Sequence, residues 1–191
     1  MKTLSEKRQD MTRGLILDAA FELLREGAVS ELTVRAVAQH AVISERTVFR
    51  YFPSREALLD AVAAWLLERM AIPAVPESRE GLLGAPRLLY QAFEDRADTT
   101  RAALHPELIG RIRALQANGR WEAVSRLLAA IAPKAGAAEQ RIAAANICYH
   151  LTASSWNYYR SAFGFELEEC IACAEAAVRQ ALDGIGGVKR K

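Results

Sequence analysis

The amino-acid sequence predicts an all-α fold of about nine helices. A three-helix head at the N-terminus joins a helical-bundle body through a linking helix. Three observations predict it. Apolar residues recur at the three-to-four spacing of a helix face, and no stretch alternates as a half-buried strand would. Alanine, leucine, glutamate and arginine dominate, and all four enter helices at low cost. Glycine and proline fall between the periodic stretches, where they start or stop helices.

The first helix is expected over Lys7–Glu26, with Ile16, Ala19, Ala20, Phe21 and Leu24 as its apolar stripe and Gly27 as its terminator. Thr33 caps a second helix that runs to His40, with Val34, Val37 and Ala38 inward. Ser44 caps a third that ends at Phe52, because Pro53 forbids continuation. Ser54 caps the fourth, linking helix, which runs to Ala71. The stretch "IPAVPES" (Ile72–Ser78) is a proline-marked joint. Further helices are expected over Pro86–Leu104, Pro106–Ala117 and Arg120–Ala132. Two longer ones, Ala137–Phe163 and Glu166–Leu182, are split at Gly164. The tail "GIGGVKRK" is expected to fray.

A chain of 191 residues can hold one domain, or a small head on a larger body. At 51% hydrophobic and 25% charged it has an ordinary soluble composition. The net charge of +2 does not by itself require a polyanion partner. Placement matters more: Lys2, Lys7, Arg8 and Arg13 form a basic arm, followed by Arg35, Arg46, Arg50 and Arg55. No apolar run approaches the roughly 18 residues of a membrane span, so no membrane partner is expected. The polar N-terminus lacks the apolar core of a secretory signal, which points to the cytoplasm. Three cysteines make a disulfide framework a poor reading there.

The second and third helices are joined by only Ala41–Ser44, a tight joint that sets two helices at a steep angle in helix-turn-helix fashion. Phe21 and Leu24 of the first helix are suited to meet Val37, Val48 and Phe52. Val48 and Phe52 share one face. That turns Glu45, Arg46, Phe49 and Arg50 toward solvent. The repulsion of Arg46 and Arg50, four apart, costs only about 0.2–0.5 kcal/mol, and a polyanion would reverse its sign. Arginine pairs with guanine edges or phosphate, and an aromatic ring packs on a thymine methyl. This is the equipment of a recognition helix in the major groove of double-stranded DNA. Helix starts at Thr33, Ser44 and Ser54 favour anions. Arg35 and Arg55 lie in first turns, where the dipole disfavours a cation and a phosphate would favour one. The basic arm is suited to the DNA backbone or minor groove.

The segment "ILDAAFELLREGAVSELTVRAVAQHAVISERTVFRYFPSREALLDAV", Ile16–Val62, resembles the DNA-binding head of the TetR family of bacterial transcriptional regulators. The match lies in the Ala-Ala-Phe of the first helix, the Leu-Thr-Val-Arg entry, the Val-Phe-Arg-Tyr-Phe-Pro-Ser-Arg-Glu-Ala-Leu block and their spacing. The resemblance implies a ligand-responsive repressor that acts as a homodimer on a palindromic operator. Its DNA-binding domain is expected at residues 1–55 and its effector-binding and dimerisation domain at 56–191. It implies backbone or base contacts from Thr33 and Arg35, and base reading by Glu45, Arg46 and Arg50. Phosphate and sugar contacts fall to Thr47, Phe49 and Tyr51. Arg55 stands where a phosphate-gripping lysine is usual. Two positions depart from the pattern. Val42 replaces a glycine, so a remodelled turn is expected. Phe49 replaces a tyrosine and loses its hydroxyl, which Tyr51 is placed to supply.

Specific binding by two heads needs a two-fold dimer. Residues 137–182, alanine-rich and apolar, suit a four-helix bundle between two copies. The body between is rich in rings: Tyr90, Phe93, His105, Trp121, Tyr149 and Trp156 are the candidates for contact with a small apolar or aromatic effector, with Leu104, Leu128 and His150 nearby in sequence. His105, before Pro106 at a helix start, also suits a cap. The mechanism expected is a population shift, with the fourth helix carrying the difference to the heads.

Three other classes compete with this reading. A thiol-responsive regulator would use Cys148, Cys170 and Cys173, but Glu166, Glu168, Glu169 and Glu175 surround the Cys170–Cys173 pair and would hold the thiols protonated. No metal-ligand motif, phosphate loop or nucleophile elbow is present, so no enzyme, cofactor or metal site is expected. A helical adaptor without DNA binding would leave the arginines unexplained.

Overall fold

The computed structural model describes residues 3–27 and 32–185. Ten helices run through them: α1 (Leu4–Arg25), α2 (Val34–His40), α3 (Glu45–Tyr51), α4 (Arg55–Met70), α5 (Arg79–Asp95), α6 (Ala97–Ala103), α7 (Pro106–Ile131), α8 (Ala137–His150), α9 (Ala153–Ala162) and α10 (Leu167–Ile185). No strand forms among the described residues, and the fold class is the all-α one expected. Two compact units emerge. The first holds the chain to Met70 together with Asp98–Leu115; the second holds Ala71–Ala97 and the chain from Gln116 onward.

In the first unit α1 begins earlier than expected because Thr3 and Glu6 cap it reciprocally. The Glu6 amide donates to Thr3 Oγ1 at 3.2 Å, and the Thr3 amide donates to Glu6 Oε2 at 2.6 Å. Lys7, Arg8 and Arg13 therefore ride on a helix rather than a free arm; Lys2 lies outside the described residues. Gly27, at φ +62°, closes α1. α1 packs on α2 and α4, and α2 packs on α3. Ile16 and Ala20, Val37, Val48, Phe52, Leu58 and Val62 are buried between them. The α1 face also sets Phe21 beside Trp65, ring centroids 5.9 Å apart.

The turn after α2 is not remodelled. Val42 takes the left-handed conformation itself, at φ +54°. The Ile43 amide donates to the Ala38 carbonyl at 3.0 Å and the Val42 amide to Gln39 at 3.1 Å. These are the two bonds of a Schellman motif, in which glycine is the usual left-handed residue. Pro53 stops α3, with Phe52 extended. Ser54 Oγ then accepts from the Ala57 amide at 3.1 Å and starts α4.

After α4, four boundaries differ from expectation. Pro86 lies inside α5, because Ser78 starts that helix two turns earlier by accepting from Gly81 at 3.0 Å. α6 is a separate helix, not the end of α5. α7 runs unbroken where two helices were expected; its start belongs to the first unit and the remainder to the second. The long helix expected over Ala137–Phe163 breaks after His150, where Thr152 Oγ1 accepts from the Ser155 amide at 3.2 Å and starts α9. α10 packs along α8 and α5. Tyr90, Phe93 and Trp156 form the ring core of the second unit, with successive centroids 6.2 and 6.1 Å apart. Burying each such side chain contributes about 1.5–3 kcal/mol.

Candidate nucleic-acid interface

The α2–α3 pair presents its predicted contact residues unevenly. Val48 and Phe52 anchor α3 to the core, and that rotation leaves Glu45, Arg46, Phe49 and Arg50 exposed. Phe49, a large apolar ring, is 44% exposed between two guanidinium groups in the sequence. Arg35, Arg46 and Arg50 form no ion pair with any described residue; Arg50 lies over the Tyr51 ring, 5.2 Å from its centroid. Ser44 and Thr47 share a hydroxyl contact of 2.9 Å, and Ser44 also accepts from the Thr47 amide at 3.1 Å. Thr33 accepts from the Ala36 amide at 3.1 Å. Both cap residues thus serve their own helices. Tyr51 is half-buried.

Arg55 is placed differently from the rest. Its Nε donates to the Leu32 carbonyl at 3.0 Å, and its Nη2 pairs with Glu107 of α7. Glu107 also accepts from the Leu32 amide at 2.8 Å. Burial disfavours the Glu107 carboxylate, but the bonds from Arg55 and Leu32 outweigh that and hold its pKa below the usual range. One turn on, Arg111 pairs with Glu56 and Asp60 of α4. The start of α7 is therefore clamped to α4 and to the entry of α2. The sequence reading missed Glu107 and Arg111. Their partners lie 50 or more residues away, and no local spacing signals them. Arg13 is also drawn in, 4.7 Å from the centroid of the Phe52 ring.

The effector candidates do not converge. Tyr90, Phe93 and Trp156 meet, but as core. Tyr90 Oη bonds Ser155 Oγ at 2.9 Å, and burial pushes the phenol pKa far up. Trp156 Nε1 donates to Glu94 at 3.0 Å. Trp121 and Tyr149 are exposed. His105 belongs to the first unit and caps α7, its carbonyl accepting from Leu108 and Ile109 at 2.9 Å. Cys148, Cys170 and Cys173 are free thiols, and burial pushes Cys148 and Cys170 up. No described helix is long and apolar enough to cross a membrane.

Residues 16–62, which carry this whole arrangement, match the family model for bacterial regulatory proteins of the tetR family. The head of this chain is thus similar to that of the tetR family. The chain is 37% identical over 76 residues to the class D tetracycline repressor protein of Escherichia coli, a stretch that takes up 38% of the chain and 35% of that repressor. It thus spans about a third of that relative's length. In fold the likeness runs further. A TetR-like transcriptional regulator from Rhodococcus sp. RHA1 superposes with a TM-score of 0.60 at 16% identity, over 90% of this chain and 96% of that one. A TetR variant from Acinetobacter baumannii AYE, in complex with minocycline, does so with a TM-score of 0.52 at 21% identity, over 90% and 94%.

Proposed function

We propose that this chain is a sequence-specific DNA-binding transcriptional regulator of the tetR family, a ligand-responsive repressor that works as a homodimer on a palindromic operator. The observation that carries the reading is the outward face of α3. Arg46, Phe49 and Arg50 have no use in a solvated surface, are free of ion pairs with described residues, and are held in place by buried Val48 and Phe52. Inserted in a major groove, Glu45, Arg46 and Arg50 read base edges, while Thr47, Phe49 and Tyr51 meet sugar and phosphate. Thr33, Arg35 and Ser44 approach the flanking backbone. Arg55 serves less as a phosphate grip than as the post that holds the head to α7.

Residues 1–55 act as the DNA-binding domain and residues 56–191 as the effector and dimer domain. A second copy docks through residues 137–182, so that two heads meet half-sites about one DNA turn, ~34–36 Å, or a multiple of it, apart. The effector reading is supported by the minocycline bound to the Acinetobacter fold relative. Selection of bound duplexes from a random pool tests the core of this reading. The expected product is an inverted repeat; a pool with no enriched sequence, or binding indifferent to salt, overturns it.

A further inference from the structure

The first turns of α1 contribute nothing to the core. Residues Leu4–Leu15 bury no side chain, and Ile16 is the first residue of the helix that does. At 1.5 Å per residue the exposed stretch is about 18 Å long. A helix of that length with no packed face is marginal in water, yet Thr3 and Glu6 close its start with a reciprocal cap. Lys7 and Arg8 are exposed on it and form no ion pair with any described residue. Of the two carboxylates on this stretch, Glu6 is turned back into the cap, and Asp10 lies nearly opposite Arg8 around the helix.

Two contacts fix where the stretch goes. Arg13 lies over the Phe52 ring, 4.7 Å from its centroid, and two turns later Phe21 lies beside Trp65 at 5.9 Å. α1 therefore runs beside α4 in the same sense. Its turns before Arg13 project past the corner where α3 ends and α4 begins, next to Arg50 and Tyr51. A helix with its side chains is about 10–12 Å wide, and the minor groove is about 6 Å wide. The segment cannot thread that groove as a free arm would, which leaves the phosphate backbone.

We propose that the first three turns of α1 are a preformed grip on the DNA backbone. Lys7 and Arg8 each meet a phosphate beyond the bases that α3 reads. Thr3 and Glu6 are positioning residues that hold the two cations in helical register before DNA arrives. The proposal rests on the DNA reading above and adds a second contact element to it.

Binding isotherms of the full chain on the selected operator, repeated across salt concentrations, test it. Each lost phosphate contact lowers the slope of log affinity against log salt by about 0.9. The double variant Lys7→Ala, Arg8→Ala should therefore give a slope shallower by roughly 1.8 and weaken operator and mismatched sites alike. Thr3→Ala should leave the urea midpoint unchanged, because the turns it frees bury nothing, yet weaken operator binding by up to about fivefold, the worth of the cap. Thr3→Ser, which keeps the capping hydroxyl, should restore it. An unchanged slope in the double variant overturns the grip, and so does a loss confined to particular base pairs. Thr3→Ala that binds like the parent overturns the positioning role. A parent that selects an operator while the double variant matches it keeps the α3 reading and loses the grip; a parent that enriches no sequence takes both down.

Discussion

Arg55 and Glu107 are 52 residues apart in sequence and pair directly, with the backbone of Leu32 held between them by one bond from each side. The pair joins the first turn of α4 to the first turn of α7 and fixes the residue that precedes the α2 cap. Glu107→Gln should lower stability at neutral pH by about 1–2 kcal/mol, since both groups are partly exposed and the bonds are charge-assisted. The pH dependence has a definite sign. Burial opposes ionisation of Glu107, the bonds from Arg55 and Leu32 outweigh it, and the native pKa is lowered. Its contribution is therefore complete above the ordinary carboxylate value of 4.5 and is lost as pH falls through the lower native value. Urea unfolding of the parent and of Glu107→Gln should show a constant gap above about pH 5 that closes in acid. A gap that persists unchanged into strong acid contradicts the clamp.

Arg50 touches little of its own protein beyond the Tyr51 ring. Arg50→Ala should leave the urea midpoint within the roughly 0.5 kcal/mol typical of surface changes. On the selected operator it should cost about 1–3 kcal/mol and relax preference at one position of each half-site. Binding isotherms on the operator and on single-position variants measure both. Equal losses on every sequence would assign Arg50 to phosphate instead of a base.

Val42 is a β-branched residue in the left-handed region, at φ +54°, with its side chain 89% exposed. It contributes almost no packing, yet it bears the steric cost of that conformation. Val42→Gly should stabilise the chain by about 1 kcal/mol, because the relief of roughly 1–2 kcal/mol exceeds the entropy glycine adds to the unfolded state. Val42→Pro, whose ring cannot reach positive φ, should unfold the turn. Thermal melts of the two variants should move in opposite directions.

The parts of the fold that were legible in the sequence are those set by neighbours in sequence. Thr33, Ser44 and Ser54 each cap the helix they were expected to cap, and Pro53 ends α3 where its ring forbids another turn. Val48 and Phe52 turn inward because a four-residue step defines one helix face. The misread boundaries are places where the local signal is weak against packing. Proline suits a helix start, but in α5 Ser78 supplies a better one, and Pro86 is carried within a helix whose apolar face is buried. Gly119 costs an α-helix only about 1 kcal/mol, too little to break α7. The body site was hardest to read. A buried ring and a ligand-contacting ring look alike in sequence, and Tyr90, Phe93 and Trp156 turned out to pack on one another.

The buried pair Tyr90 and Ser155 should respond asymmetrically to losing a hydroxyl. Ser155 Oγ has a second partner, since it donates to the Thr152 carbonyl at 2.8 Å. Tyr90 Oη, in the ring core, bonds Ser155 Oγ alone among the described residues, at 2.9 Å. Tyr90→Phe removes the phenol and leaves Ser155 bonded, so it should cost less than about 1 kcal/mol. Ser155→Ala strands a buried hydroxyl and should cost about 1–3 kcal/mol. In the double variant nothing is stranded, so its loss should fall below the sum of the two single losses, an interaction of at least about 0.5 kcal/mol. Urea unfolding of the four proteins of that cycle measures the term. Strict additivity, or a costlier Tyr90→Phe than Ser155→Ala, would mean that the phenol is satisfied elsewhere and that the Tyr90–Ser155 bond does not organise this core.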